Sequence, residues 1–144
     1  MNIETILNDW SEDCKIDETN LSHESTNIPI LHSKYISMYT NAKLSRLRIY
    51  EKRKEIKRKL WEYYDGKTCE EDLKEWGREQ FKMQLINSQI ATYVDSDDEM
   101  ININLKIGYQ DELIKLLEDI VKTIHTRNFI IKNSLDYQRF MNGG

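Results

Sequence analysis

The sequence is poor in residues that cross-link or break a chain: its 144 residues include two cysteines, one proline and five glycines. Two thiols cannot build the disulfide framework of a small secreted domain. No apolar run approaches the 18 or so residues that cross a bilayer, and the N-terminus lacks the basic and apolar regions of a signal peptide. We therefore expect a cytoplasmic chain with free thiols and no membrane partner.

What the sequence has in quantity is charge, which accounts for 32% of its residues and is segregated along the chain. Residues 1–33 contain seven acidic residues and one basic residue, whereas residues 34–61 contain ten basic residues and two acidic ones. Residues 62–100 contain eleven acidic and four basic residues, and residues 101–144 are nearly balanced. One basic element in a chain of net charge -4 indicates either a polyanionic partner or internal neutralisation.

The pattern of apolar residues and the lack of helix breakers predict a mainly α-helical chain. Residues 34–64 contain neither glycine nor proline, so we expect one long helix, which Asp65 and Gly66 would end. Within residues 81–94 the apolar residues alternate weakly, and a short β element there is an open alternative. We expect a single helical domain over residues 1–144 with four parts: an acidic N-terminal segment (1–33), a basic helix (34–66), an acidic connector (67–95) and a C-terminal helical hairpin (96–144).

The C-terminal part carries a heptad pattern. Over residues 100–124 apolar residues recur in alternate steps of three and four, interrupted only by Gln110, which favours a helix. Residues 96–99 have the S-x-x-E spacing of a capping box that would begin this helix, and a turn at residues 125–128 would lead into a last helix. We expect this seam to be the oligomerisation surface. Its apolar members are Met100, Ile103, Ile107, Ile114, Leu117, Val121 and Ile124.

No motif in the sequence predicts catalysis or metal binding. Residues 66–68 resemble the end of a phosphate-binding loop, but Trp61 stands where the first glycine of that motif belongs. The alternating carboxylates of residues 95–99 suit a calcium loop, but Met100 replaces its required glycine. The three histidines have no partners at ligand spacing. The sequence therefore predicts a protein that is not an enzyme and has no cofactor.

The basic helix allows two interpretations. Its bases could form a solvated surface that pairs with the acidic segments on either side. Alternatively they bind single-stranded nucleic acid, because residues 43–59 contain nine bases and two acids, which leaves few ion pairs within the helix. Trp61 and Tyr64 would then offer stacking platforms for bases. The candidates for phosphate contact are Arg46, Arg48, Lys52, Arg53, Lys54, Lys57, Arg58 and Lys59.

A different class of function is also compatible with this pattern. A helical oligomer could use the same basic helix as a non-enzymatic scaffold that docks on an acidic protein surface. The salt dependence of DNA binding would separate the two, because each phosphate neutralised on a single strand contributes about 0.7 log units of affinity per log unit of salt.

Four segments along the chain resemble a known family. In order they are KIDETNLSHESTNIPILHSKYI, LSRLRIYEKRKEIKRKLWEYYDG, YVDSDDE and IHTRNFIIKNSLDYQRFMNGG. They resemble the UvsY-type recombination mediators of tailed bacteriophages, colinearly over nearly the whole chain. The most specific parts are the end of the basic helix and the C-terminal segment.

The resemblance implies a non-enzymatic role. Members of that family form ring-like homo-oligomers, bind single-stranded DNA and help a RecA-like recombinase (UvsX) load onto DNA that the phage single-stranded-DNA-binding protein already covers. This would place the protein in phage recombination, replication and repair, in the cytoplasm of the infected host. The family's Lys-Ala-Arg-Leu signature, implicated in DNA binding, aligns with Lys57, Arg58, Lys59 and Leu60. Lysine in place of arginine at position 59 keeps the charge but not the bidentate geometry.

Overall fold

The computed structural model describes residues 1–143, which form helices and connecting loops without any strand. The prediction of a mainly α-helical chain is confirmed. Two of the helices, each of 44 residues, are much longer than the others. In chain order the helices are α1 (Ile3–Asp13), α2 (Leu21–Tyr64), α3 (Glu70–Trp76), α4 (Asn87–Ser96) and α5 (Asp98–Met141).

The chain packs as two compact units rather than around one core. The first unit combines Met1–Leu44 with the chain from Gln110 onward, and the second is Ser45–Tyr109. The first therefore contains α1, the second contains α3 and α4, and both long helices contribute to each.

In the first unit, α1 packs against the early part of α2 and the later part of α5. Tyr35 is fully buried and its hydroxyl donates a hydrogen bond to Asp13 at 2.8 Å. Its ring and that of Trp10 pack in a T-shaped arrangement, with 5.4 Å between ring centres. The side chain of Gln110, which interrupts the predicted seam, donates to the carbonyl of Ala42 at 2.9 Å. The buried apolar residues of this unit are Ile6, Leu31, Tyr35, Ala42, Leu113, Leu117, Ile120, Val121 and Ile124.

The second unit has a smaller core between α2, α4 and the start of α5. Its buried residues are Leu60, Ile90, Val94, Met100 and Ile103.

The β element considered for residues 81–94 is absent. Residues 77–86 are a loop and α4 begins at Asn87. The apolar alternation there arises because Phe81 packs its ring against Tyr64, with 4.9 Å between ring centres, and Leu85 packs against the core, without a partner strand.

The start of the basic helix differs from the prediction, whereas its end agrees. α2 begins at Leu21 rather than at residue 34 and contains Pro29. Proline removes the N–H that would bind the carbonyl of Ser25, but both residues are exposed, so water can bind that carbonyl and the helix continues. The helix ends at Tyr64, followed by Gly66 with φ of 74°, a left-handed conformation that favours glycine.

The predicted turn at residues 125–128 and the C-terminal hairpin are wrong, because α5 runs unbroken from Asp98 to Met141. The polar residues there have tertiary partners instead. The buried guanidinium of Arg127 donates to the carbonyls of Cys14 and Lys15, at 3.2 and 2.9 Å, and pairs with Glu24 at 3.0 Å. The polar run thus fastens α5 to the loop after α1.

The cap of α5 is also shifted by one residue from the predicted capping box. The N–H of Glu99 donates to the carboxylate of Asp97 at 2.9 Å, so Asp97 caps the helix. Ser96 instead ends α4, where its hydroxyl donates to the carbonyl of Thr92.

The heptad seam packs within the chain. Five of its seven apolar members are buried, some in each unit, and have no exposed side chain to offer to another copy. This placement differs from the expectation of a seam that faces neighbouring subunits. The buried members are Met100, Ile103, Leu117, Val121 and Ile124, while Ile107 and Ile114 are half-buried.

Candidate nucleic-acid interface

Within the second unit, α2 presents four strips of side chains, because successive helical residues turn by about 100°. One strip, with Ile49, Ile56 and Leu60, packs on the core of that unit. The other three are two basic strips separated by an acidic one.

The first basic strip combines positive charge with aromatic rings on an arc of about 120°. Lys54 Nζ lies 5.2 Å from the ring centre of Tyr50, and the guanidinium carbon of Arg46 lies 5.9 Å from the same ring centre on the preceding turn. Around Trp61, the side chains of Lys54, Lys57 and Arg58, together with that of Glu62, line an open concavity of about 440 Å³. We call this strip the Tyr50–Trp61 face; its members are Arg46, Tyr50, Lys54, Lys57, Arg58 and Trp61.

Much of the charge on the Tyr50–Trp61 face has no ion-pair partner. Lys57 and Arg58 are exposed and form no ion pair within residues 1–143. Lys54 pairs with the exposed carboxylate of Glu51 at 2.8 Å, and the hydrogen bond and charge of that carboxylate raise the pKa of the lysine. Lys54, Lys57 and Arg58 can therefore accept phosphates without breaking a buried interaction.

The second basic strip, the Arg48–Lys59 edge, consists of Arg48, Lys52 and Lys59. Helical geometry places it about 100° or more from most of the Tyr50–Trp61 face. The acidic strip between them carries Glu51, Glu55 and Glu62. The run of bases thus divides into two surfaces.

Lys57 and Lys59 align with the two basic residues of the family's DNA-binding signature. They lie on different strips of α2. Two helical steps rotate them by about 200° from one another. Lys57 faces the concavity at Trp61, whereas Lys59 Nζ lies over the ring of Trp76, 4.1 Å from its centre. A strand that contacts both from one chain would have to cross the helix.

Two other sequence-predicted residues hold the second unit together. Arg53 is half-buried and its Nε donates to the side chain of Asn104 at 2.7 Å. Tyr64 is half-buried and its hydroxyl donates to Asp97 at 2.7 Å. Neither side chain belongs to the Tyr50–Trp61 face.

Asp97 is the centre of a hydrogen-bond network that joins α2, the segment after α3 and the start of α5. Arg78 donates to both of its carboxylate oxygens, at 2.8 and 2.9 Å. Burial alone would raise the pKa of Asp97, but the hydrogen bonds from Arg78 and Tyr64 outweigh it and hold this pKa below its ordinary value. Burial and the hydrogen bond to Asp97 raise the pKa of Tyr64 to about 12. The carboxylate is therefore ionised and the phenol neutral at neutral pH.

The same network orients Trp76. The indole N–H donates to Glu99 at 2.9 Å, and the guanidinium carbon of Arg78 lies 4.2 Å from the ring centre. With Lys59 at 4.1 Å, the indole has two cations close to it, at a distance that favours attraction to the π-system.

Sequence reasoning missed Tyr50 and Trp76. Tyr50 could have been found from its spacing, because it lies four residues after Arg46 and four before Lys54 and so shares their face. Trp76 gave no such signal, because its contact with Lys59 depends on how α3 packs against α2.

A second surface feature lies on the last turns of α5, in the first unit. Five large apolar side chains project from one arc of about 120° and are between 46% and 79% exposed. We call them the C-terminal apolar stripe; its members are Phe129, Ile130, Tyr137, Phe140 and Met141.

Other kinds of site are not found in the described part of the chain. Residues 1–143 contain no group of three or more histidine, cysteine, aspartate or glutamate side chains placed to hold a metal ion. None of the helices described above is long and apolar enough to span a membrane.

Comparison with solved structures shows a shared fold. Two crystal structures of the bacteriophage T4 recombination mediator protein UvsY, in lattice types II and IV, are each 24% identical to the chain, with TM-scores of 0.83 and 0.84. The first match covers 99% of this chain and 98% of the other, and the second covers 97% and 99%. A search of curated protein sequences finds no significant match.

Comparison with family profiles identifies the family. The profile described as "Recombination, repair and ssDNA binding protein UvsY" matches residues 9–144. Since this match spans nearly the whole sequence, the chain belongs to the UvsY family of recombination and repair proteins.

Proposed function

We propose that this protein is a recombination mediator that binds single-stranded DNA on the Tyr50–Trp61 face and promotes loading of a RecA-like recombinase. The observation that carries the proposal is the alternation of basic side chains and aromatic rings on one exposed face of α2. Phosphates would pair with Lys54, Lys57 and Arg58, and bases would stack on Tyr50 and Trp61.

The geometry of this face suits a single strand. Tyr50 and Trp61 are eleven residues apart, which is about 16 Å along a helix. The three basic residues Lys54, Lys57 and Arg58 lie between them. Stacking does not depend on sequence, because every base has a π-face, so we expect binding with little sequence preference. Membership in a family described as binding single-stranded DNA supports this assignment.

Self-association would raise the affinity for a long strand, because several copies of one weak site would bind it together. We propose that copies of the chain assemble through the C-terminal apolar stripe, because the heptad seam is already used inside the chain. Monomeric proteins rarely leave a large apolar patch exposed. Several copies of α2 on one assembly would raise avidity for a long strand without any new type of contact.

The mediator step follows from how such an assembly would hold DNA. A strand bound across several copies is constrained to a bent or wrapped path. If that path suits the recombinase (UvsX) better than the phage single-stranded-DNA-binding protein, the difference in affinity shifts occupancy toward the recombinase. This step requires no catalysis by the protein and would take place in the cytoplasm of the infected host.

DNA binding can be tested by fluorescence anisotropy with a labelled oligothymidine across a salt series. We expect steep salt dependence in the wild type, and weaker binding with a shallower slope in Lys57→Ala/Arg58→Ala. Each phosphate that is no longer neutralised should reduce the slope by about 0.7. Lys106→Ala/Lys115→Ala removes the same charge from exposed positions on α5 and should change neither quantity strongly.

Loading can be tested by adding the protein to recombinase and single-stranded DNA that is pre-coated with the phage single-stranded-DNA-binding protein. We expect the DNA-dependent ATPase activity of the recombinase to rise with wild type and not with Lys57→Ala/Arg58→Ala. Binding without stimulation would contradict the mediator role. Absence of DNA binding at low salt would contradict the whole proposal and favour a scaffold that docks on acidic proteins.

A further inference from the structure

A groove separates α2 from α3. Basic residues of α2 lie on one side, and two acidic residues of α3, Asp72 and Glu75, which we call the acidic wall, lie on the other. The groove is an open concavity of about 950 Å³ within the second unit. From α3, the groove is lined by the acids Asp72 and Glu75. From α2, it is lined by the acids Glu55 and Glu62 and by the bases Lys52, Lys54, Arg58 and Lys59. Helix α3 carries further acidic residues, Glu70 and Glu71, which are exposed and do not line the groove.

The wall stands beside Lys59, one of the two lysines that the family resemblance pairs. Its ammonium lies 4.1 Å from the ring centre of Trp76, which lines the same groove. Lys57 does not line this groove and opens instead onto the concavity at Trp61. The two lysines therefore have different electrostatic surroundings although they are two residues apart.

We propose that α3 is an electrostatic screen that confines single-stranded DNA to the Tyr50–Trp61 face. The inference rests on the proposed function and adds the path of the strand on the chain. A phosphate that approached Lys52 or Lys59 would also approach Asp72 and Glu75, and the like charges would offset the attraction. The concavity that Lys57 lines contains no carboxylate of α3, and its acidic lining residue, Glu62 of α2, also lines the groove, so Asp72 and Glu75 make the difference between the two.

Two residues, Glu99 and Arg78, position Trp76 and thereby hold α3 in place. Trp76, the last residue of α3, is fixed by its hydrogen bond to Glu99 and by Arg78 against its ring. Its contact with Lys59 holds this lysine at the groove. Lys54 and Arg58 line both concavities, so we expect the contribution of each to DNA binding to lie between those of Lys57 and Lys59.

The test compares two variants of equal charge. Asp72→Asn/Glu75→Gln neutralises the wall, whereas Glu70→Gln/Glu71→Gln neutralises two acids of the same helix outside the groove. On labelled oligothymidine at low salt, we expect the first variant to bind about threefold to tenfold tighter than the wild type, with a slope steeper by about 0.7 for each additional phosphate that the protein neutralises. The second variant should bind like the wild type within about twofold.

Lys59→Ala provides a second, independent readout. In the wild-type background we expect it to weaken binding less than Lys57→Ala does. In the Asp72→Asn/Glu75→Gln background its cost should rise toward that of Lys57→Ala, so that the two sites are coupled in a double-mutant cycle. Circular dichroism would verify that each variant is folded.

Two outcomes would overturn the screen while leaving the proposed function intact. One is an equal increase in affinity from the two α3 variants, which would mean that only net charge matters. The other is an equal decrease from Lys57→Ala and Lys59→Ala in the wild type. If the wild type does not bind oligothymidine at all, the proposed function fails first.

Discussion

Arg78 and Asp97 form a two-point ion pair between the segment after α3 and the cap of α5, with nitrogen–oxygen distances of 2.8 and 2.9 Å. The side chain of Asp97 is 4% exposed and that of Arg78 is 22% exposed. The pair thus lies where removal of one partner leaves the other poorly solvated.

Asp97→Asn should lower the free energy of unfolding by about 2–4 kcal/mol at neutral pH, because Arg78 loses its counter-ion while an asparagine cap is retained. The folded-state pKa of Asp97 lies below its unfolded value, so the stabilisation is complete above about pH 5 and is lost as pH falls through the folded pKa. The free energies of unfolding of the wild type and the variant should therefore become more similar as the pH falls. Urea unfolding between pH 3 and pH 7 measures this, with the exposed Asp95→Asn as control. A difference that stayed constant with pH would refute the role of the charge.

Tyr50→Leu should weaken binding to oligothymidine by about 5- to 150-fold, which corresponds to the loss of one stacked base. Since Tyr50 is 39% exposed, the fold should tolerate the change. A strand of the same length without bases supplies the control, because the wild type and the variant should bind it equally. Tyr64→Phe, in contrast, should leave affinity unchanged and reduce stability by about 1 kcal/mol through the lost hydrogen bond to Asp97.

Leu117→Ala should reduce the free energy of unfolding by about 2–5 kcal/mol, because this side chain is fully buried in the core of the first unit. The matched control is Leu105→Ala on the same helix, where the side chain is 67% exposed and the cost should be below about 0.5 kcal/mol. Chemical denaturation at several protein concentrations measures both. Equal small costs would mean that the seam is not part of the core.

Phe129→Ser/Phe140→Ser should lower the mass of the assembly in sedimentation equilibrium, because these side chains are 66% and 79% exposed on the C-terminal apolar stripe. Affinity for a long strand should fall with the loss of avidity, while affinity for a strand that reaches only one chain should persist. Ile101→Ser/Leu105→Ser removes exposed apolar side chains elsewhere on α5 and should leave the mass unchanged. An unchanged mass in the stripe variant would exclude this surface from self-association.

The parts of the fold that sequence predicts well are those with local causes. The end of the basic helix depends on a glycine that can adopt positive φ, and Gly66 does so. The helical character of residues 100–124 depends on spacing alone. Tertiary partners decided the rest. The polar run around Arg127 resembles a turn until the loop after α1 supplies its hydrogen bonds, and a heptad seam has the same spacing whether it packs inside one chain or between chains.

The candidate site was predictable to a similar degree. Charge density located it on α2, because bases in excess need a partner. The division of those bases into two strips follows from helical geometry and could also have been derived. The contact of Lys59 with Trp76 could not, since it requires the position of α3.

The three tryptophans occupy three different settings, and this makes the protein its own optical probe. Trp10 packs against Tyr35 inside the first unit, Trp76 has two cations close to its ring, and Trp61 lines the concavity with Lys57 and Arg58. A nucleobase stacked on an indole quenches its fluorescence. The emission of Trp61 should therefore decrease as a strand binds, while that of Trp10 stays unchanged. Titration of unlabelled DNA would then report occupancy through one native chromophore, and loss of the signal in Trp61→Phe would assign it.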